Sequence, residues 1–280
     1  MKIAIFYSYN GAKFCGSQTQ PNAKAVEDSL NLALRKVGIF ENAISSSRTD
    51  TLVHALCQVS CTHCGDFWDL NKLKNELNRH LPFSIRVFKI LKVLENFHPR
   101  YSAKARSYRY LLAHGKANPF LADFVYFCPK PDIKRLNFAL SLFKGTHDFS
   151  GFYKLGSNEK SPLRTIFSAR ARQFYFKNDC FSMIIFKANG FLRSQVRLMV
   201  ANALLAAASE QKLHDLEKIL KFSKVEFFEN EFYKSEFSKA EFFEKFNENK
   251  TEFYKSEFYK KIPTKIPAPA QGLYLKKIFY

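Results

Sequence analysis

The sequence has no uninterrupted apolar run near the roughly 18 residues that a bilayer span requires. Its longest candidate, Met199 to Ala208, is short and broken by Asn202, so a membrane partner is not expected. Acidic side chains are also scarce. With 25 Asp and Glu against 44 Lys and Arg, the formal net charge is +19, which predicts a polyanionic partner, nucleic acid before membrane. The opening residues lack the basic region, apolar block and small-residue cleavage site of a leader peptide. Instead, Ile3, Ile5 and Tyr7 alternate with Ala4, Phe6 and Ser8 as a strand would, and the expected compartment is the cytoplasm. The 46% hydrophobic content over 280 residues excludes wholesale disorder and a fibrous fold, and leaves room for one large or two modest domains.

The six cysteines come without a secretory signal and read as reduced thiols rather than a disulfide framework. His54, Cys57, Cys61, His63 and Cys64 crowd together, and Cys61-Thr62-His63-Cys64 has the spacer of a zinc knuckle. On a strand, however, Cys57 and Cys61 would lie about 13 Å apart, too far to share a metal. The cysteines are therefore expected to be core residues. A metal-dependent module remains a competing reading that bound zinc would decide.

Periodicity predicts a helix carrying Val26, Leu30, Ala33, Leu34 and Val37 and ending near Gly38. A polar loop over residues 45–52 leads into the strand with the cysteines. Asp69 caps a helix with Leu70, Leu73, Leu77 and Leu81, ended by Pro82, and strands follow over 85–93 and 104–113. The pattern restarts with a helix capped by Asp132 and closed by Gly145, strands near 165–177 and 180–188, a long helix from Gly190 to Ala208, and a last strand at 272–279. The connections are too short and hairpin-like for an all-parallel sheet. The expected fold is α+β, two similar lobes, 1–115 and 130–280, forming a mostly antiparallel sheet with a central catalytic cleft.

Residues 222–261 differ from the rest. Glu-Phe recurs at 226, 231, 236 and 241, and Glu-Phe-Tyr-Lys-Ser-Glu-Phe occurs at both 231–237 and 252–258. A five-residue period gives neither a helix nor a strand one buried face. The tract holds eight Lys and nine Glu, so the other 240 residues carry 36 basic against 16 acidic side chains. The basic surface belongs to the body, and the tract is expected to be a surface insertion whose removal spares the chemistry.

Arg48-Thr49-Asp50 places a carboxylate beside a guanidinium in a polar turn. Alone, such a triplet marks no more than an exposed ion pair. Read with Tyr9-Asn10-Gly11-Ala12-Lys13-Phe14-Cys15-Gly16-Ser17-Gln18, Arg106-Ser107-Tyr108-Arg109-Tyr110, Gly145-Thr146-His147-Asp148-Phe149, Ser161-Pro162-Leu163-Arg164, Phe191-Leu192-Arg193-Ser194-Gln195-Val196-Arg197 and Ala268-Pro269-Ala270-Gln271-Gly272-Leu273-Tyr274-Leu275, it resembles the tRNA pseudouridine synthase A family in order and spacing. The resemblance spans nearly the whole chain except 222–261.

That resemblance implies a pseudouridine synthase fold, and isomerisation of uridine to pseudouridine at positions 38–40 of the tRNA anticodon stem-loop, by a homodimer, with no metal or organic cofactor. Asp50 matches the family's catalytic aspartate, a nucleophile at C1′ or a base on the ribose. Arg197 matches the arginine that pairs with it, favouring the charged carboxylate and orienting it. Tyr108 matches the tyrosine that stacks on the target base, and Arg48 the residue that enters the stem as the base leaves it. Lys13, Arg109 and Arg164, with Arg100, Arg106 and Arg193, are further candidates for phosphate contact.

Three departures stand out. Gly16-Ser17-Gln18 replaces the usual Gly-Trp-Gln, Ser45 to Ser47 replace glycines ahead of the Arg-Thr-Asp, and Leu52 replaces the glycine before Val-His. Because glycine alone enters positive φ freely, these changes bear on the loop around Asp50. They sustain a competing reading, a catalytically weak tRNA-binding protein or RNA chaperone on the same scaffold.

Overall fold

The computed structural model describes residues 1–154, 161–224 and 262–280. The repeats of the 222–261 tract lie outside the described residues. By contacts the chain divides into two units. The first holds Met1–Lys130, Arg172–Asn189 and Pro269–Tyr280, and the second Pro131–Ala171 and Gly190–Ala268.

In the first unit the opening alternation forms β1 (Lys2–Tyr9), with Ile3, Ile5 and Tyr7 buried. It pairs antiparallel with β3 (His54–His63) on one side and β4 (Ile85–Lys92) on the other. Between them lie α1 (Val26–Lys36) and α2 (Leu70–His80). The Asp69 side chain accepts from the Lys72 amide at 2.8 Å, so the predicted cap closes the first turn of α2. The chain leaves α1 through Gly38 at φ +79°.

Short β2 (Ile44–Ser45) pairs with β3, delivering the polar loop to that strand's buried polar face. Next come β5 (Ala105–His114), two-residue β6 (Tyr126–Phe127), β9 (Asp179–Ala188) and β10 (Leu273–Phe279). The main strands of this unit run in the order β4-β1-β3-β10-β5-β9. The β10–β3 and β5–β6 pairs are parallel and the other pairs within this unit antiparallel. The fold is α+β with a large, mostly antiparallel sheet, as the short connections predict.

In the second unit α3 (Ile133–Ser141) starts at Asp132, whose carboxylate accepts from the Lys134 and Arg135 amides. β7 (Gly145–Asp148) pairs antiparallel with the first part of β8 (Leu163–Phe176), a strand that begins in this unit and ends in the first. Then come α4 (Gln195–Ala208) and α5 (Glu210–Ser223).

One sequence expectation is corrected here. The helix expected from Gly190 begins at Gln195, because Ser194 takes the left-handed conformation at φ +58° and the Gln195 side chain accepts the Leu192 amide at 2.7 Å. A side-chain bond thus replaces the backbone bond of a first helical turn, and Phe191 lies before the helix. The cysteine strand is also buried on both faces, since Gln58 and Ser60 are as hidden as Val59. Cys61 and Cys64 are buried and Cys57 half-buried, and burial pushes the Cys61 thiol up to about 11.

Candidate active site

The turn that carries Asp50 is fixed by side chains from distant parts of the first unit. Ser46 donates its amide to the Val59 carbonyl at 2.9 Å and its hydroxyl to Gln58 Oε1 at 3.0 Å. The same Gln58 amide group donates to the Ser47 carbonyl at 2.7 Å. Ser45 and Ser60 hydroxyls lie 2.9 Å apart. The three serines therefore seat their hydroxyls in a buried network of the kind that leaves no polar atom stranded.

Thr49 is clamped from the other side. Its amide donates to Ser17 Oγ at 2.8 Å, its carbonyl accepts the Ser17 amide at 3.1 Å, and its hydroxyl meets the Tyr9 hydroxyl at 2.8 Å. Gly16, at φ +98°, lies against this strap, and a Cβ there would stand 3.1 Å from the Thr49 carbonyl. Ser17, in place of a tryptophan, thus supplies the hydroxyl that holds the residue preceding Asp50. Asp50 is half-buried, and its carbonyl closes the turn by accepting the Val53 amide at 3.1 Å. Leu52 sits at φ +68°, the left-handed region that a glycine would enter without strain.

His54 locks the far end of the turn. Its Nδ1 accepts the Gly11 amide at 3.0 Å and its Nε2 meets the Asp123 carbonyl at 2.9 Å, an arrangement that fits the neutral ring protonated at Nε2. Burial lowers its pKa, against the pull of the Asp123 carbonyl. A Cβ on Gly11 would collide with the Val53 carbonyl, so the approach of this segment to the turn requires glycine.

β5 places Tyr108 and Tyr110 on one face and Arg109 on the other. Sequence periodicity does not separate the two tyrosines, but their surroundings do. Tyr110 is wholly buried, donates its hydroxyl to the Pro269 carbonyl at 2.7 Å and packs against Gly272, where a Cβ would meet its ring at 2.7 Å. Burial pushes the Tyr108 phenol up to about 12, against the lowering effect of the nearby Arg106 charge and Ser47 hydroxyl, and the charge of Asp50 adds to the rise. The Asp50 charge is thus felt at the Tyr108 phenol.

The other first-unit candidates divide. Lys13, at the end of a short 3-10 turn, and Arg48 are exposed and available to a polyanion. Arg106 donates to Ser47 Oγ at 3.0 Å and to the Ser46 and Arg100 carbonyls at 3.3 and 2.9 Å, tying the Asp50 loop to β5. Arg109 keeps its Nε buried without a hydrogen-bond partner among the described residues. Its pKa is lowered, first by burial and then by the neighbouring Arg172.

In the second unit Arg197 is half-buried on the first turn of α4 and donates Nε to the Ala268 carbonyl at 2.7 Å, while the Ala268 amide bonds back to the Arg197 carbonyl at 3.1 Å. Arg164 donates to the Ser161 and Leu163 carbonyls at 2.8 and 2.6 Å. Arg193 is exposed. The sequence presents Ser47 only as a replaced glycine and Tyr9 only as the start of a motif, and it gives Gln58 no part in the site. The available signal was the pairing of three consecutive serines with a strand whose hidden face bears Gln58, Ser60 and Thr62.

Comparison with known proteins adds relatives to this geometry. The family model described as tRNA pseudouridine synthase matches residues 139–228. The chain is 43% identical over 225 residues to the tRNA pseudouridine synthase A of Campylobacter jejuni subsp. doylei, a match covering 80% of this chain and 92% of that one. It is 37% identical over 226 residues to the protein of the same name from Helicobacter pylori strain 26695, covering 76% and 90%. Against that of Pseudothermotoga lettingae it is 34% identical over 224 residues, covering 79% and 90%.

Proposed function

The chain belongs to the tRNA pseudouridine synthase A family, and from that premise we propose that it isomerises uridine to pseudouridine at positions 38–40 of the tRNA anticodon stem-loop. The observation that carries the proposal is the half-buried Asp50 carboxylate, held in a turn bonded on both sides and felt by the buried phenol of Tyr108.

The reaction breaks the C1′–N1 bond, turns the uracil without releasing it, joins C1′ to C5 and moves the C5 proton away. Asp50 serves either as the nucleophile that takes C1′ or as the base that removes a ribose proton. Arg197 pairs with Asp50 and keeps it ionised and oriented; its bond to Ala268 fixes the guanidinium's stem. Tyr108 retains the detached uracil by stacking, and its hydroxyl oxygen assists loss of the C5 proton. A base inside a stem must be extruded at a cost of a few kcal/mol, and exposed Arg48 fills the vacancy it leaves. Lys13, Arg109 and Arg164 contact phosphates, and no metal or organic cofactor is called for.

The enzyme acts as a homodimer in the cytoplasm, one protomer positioning the tRNA for the other. Transcripts retaining uridine at only one of positions 38, 39 or 40 test the site: pseudouridine is expected at these positions, and modification confined elsewhere in the tRNA contradicts the assignment. Binding falls steeply between 50 and 200 mM salt, by about 10³-fold if some six phosphates are neutralised. A flat salt response opposes the basic-surface account. Sedimentation at assay concentration tests the dimer, which a fully active monomer refutes. Tight tRNA binding without any isomerisation would favour the catalytically weak RNA-binding reading.

A further inference from the structure

β10, β5 and β9 lie side by side in the first unit, and their register builds a charged surface behind the tyrosines. Ser107 faces Lys277 of β10 on one side and Lys187 of β9 on the other. Two residues along β5, Arg109 stands between Tyr274 and Ile185. Ladder partners share a face, and strand residues two apart return to it. Lys187, Lys277, Arg109 and Tyr274 therefore lie together on the face of the sheet opposite Tyr108.

The six main strands of this unit, β1, β3, β4, β5, β9 and β10, carry nine Lys and Arg and a single acidic residue, Asp179. Within the patch two lysines converge, Lys187 Nζ lying 4.3 Å and Lys277 Nζ 5.2 Å from the centre of the Phe279 ring. Among the described residues neither pairs with a carboxylate. Two ammonium groups held at one ring repel each other, and an anion between them turns that repulsion into attraction. Arg109 adds an Nε–H buried without an acceptor among the described residues, and the charge of exposed Arg172 acts on it. Basic side chains set among aromatic rings hold an RNA strand through its phosphates and bases.

We propose that this face of the sheet, with Lys187, Lys277 and Arg109 around Phe279 and Tyr274, is a second RNA-contact surface that grips the tRNA away from the reacting uridine. The inference rests on tRNA as the substrate. Tyr108 and Arg109 are neighbours on one strand and point to opposite faces, so a phosphate met by Arg109 belongs to a part of the RNA other than the flipped nucleotide.

The test measures affinity for full-length tRNA between about 50 and 200 mM salt, for wild type and for the double variant Lys187→Ala/Lys277→Ala, with thermal unfolding to confirm folding. The double variant is expected to bind about tenfold more weakly at the lowest salt, and its logarithmic salt slope to fall by about 2, one phosphate contact per lysine. Lys187→Arg/Lys277→Arg, which keeps both charges, should restore the slope, and an unchanged slope in the alanine variant overturns the proposal. Lys36→Ala/Lys72→Ala removes two exposed lysines from α1 and α2 and should change the slope less than half as much. An equal loss there means that net charge alone acts, and overturns the proposal. Loss of self-association by Lys187→Ala/Lys277→Ala in sedimentation assigns the face to a second copy of this chain and likewise overturns it. Should the double variant fail to fold, Lys277→Ala alone must lower the slope by about 1, and an unchanged slope is then the contrary result. A wild type that binds tRNA without isomerising it strikes the activity reading alone, whereas one that binds no tRNA removes both.

Discussion

Asp50 and Arg197 are held by different means. The Asp50 turn takes its shape from side-chain bonds that reach across 12 residues to Gln58, 32 to Ser17 and 59 to Arg106. Arg197 stands on the first turn of α4, a helix buried over most of its surface through Val196, Leu198, Met199, Val200 and Ala203, and it is tied to the single residue Ala268 through both its Nε–H and its carbonyl. Each segment contains one wholly buried glutamine. Gln58 uses both ends of its amide, whereas Gln195 uses Oε1 and leaves Nε2 without a partner among the described residues.

A turn held by hydroxyls and amides tolerates the loss of its glycines when the replacements join the network. Ser45, Ser46 and Ser47 do so, and Leu52 does not; it accepts a left-handed backbone instead. The contrast predicts unequal consequences for similar substitutions.

The largest should come from Gln58→Met, which keeps volume but strands the Ser46 hydroxyl and the Ser47 carbonyl. A loss of about 2–4 kcal/mol is expected in urea unfolding, with isomerisation lost alongside; an unchanged unfolding midpoint would mean that the network does not hold the turn. His54 comes next. Its folded pKa lies below the model-peptide value of 6.5, so the unfolded chain binds the proton first as pH falls, and stability declines below about pH 6.5 until the folded form also protonates. His54→Asn should lower Tm at pH 7.5 yet shrink the drop between pH 7.5 and 5.5 by a few degrees relative to wild type. An identical drop in both proteins would separate His54 from the acid response.

Gln195→Met should change stability by less than about 1 kcal/mol, since the loss of one bond is offset by removal of a stranded amide. A penalty equal to that of Gln58→Met would erase the distinction between the two glutamines. Smallest is Leu52→Gly. Relief of the left-handed leucine, about 1 kcal/mol, is partly offset by the entropy of glycine, for a net gain near 0.5 kcal/mol in the same unfolding measurement. Destabilisation would show that the leucine side chain contributes something its 38% exposure does not indicate.

How much of this was legible in the sequence follows from the range of the interactions. Asp69 and Asp132 announce their helices because a cap is a local device, and the alternation in β1 announces a strand for the same reason. Pairing of β10 with β3, which places Tyr274 beside His54, joins residues 220 positions apart that no local pattern links. Phe191 and Leu192 continue the apolar spacing of α4 and so carry its predicted start too early, while the deciding Gln195–Leu192 bond replaces the backbone pattern. Asp50, Arg197 and Tyr108 stood out through resemblance to a family. What distinguishes Tyr108 from Tyr110 is tertiary, the Pro269 carbonyl and Gly272 having claimed the second ring. Ser47 is visible as a missing glycine, whereas the Arg106 Nε–H on its hydroxyl joins residues 59 positions apart.

The most direct test of the central claim is tritium release from tRNA labelled at uridine C5, comparing wild type with Asp50→Asn at matched tRNA occupancy. Isomerisation must expel the C5 hydrogen, so wild type should release tritium while Asp50→Asn binds the tRNA and releases none above background. Release by both proteins, or by neither despite tight binding, would contradict the assignment of Asp50 as the group that performs the reaction.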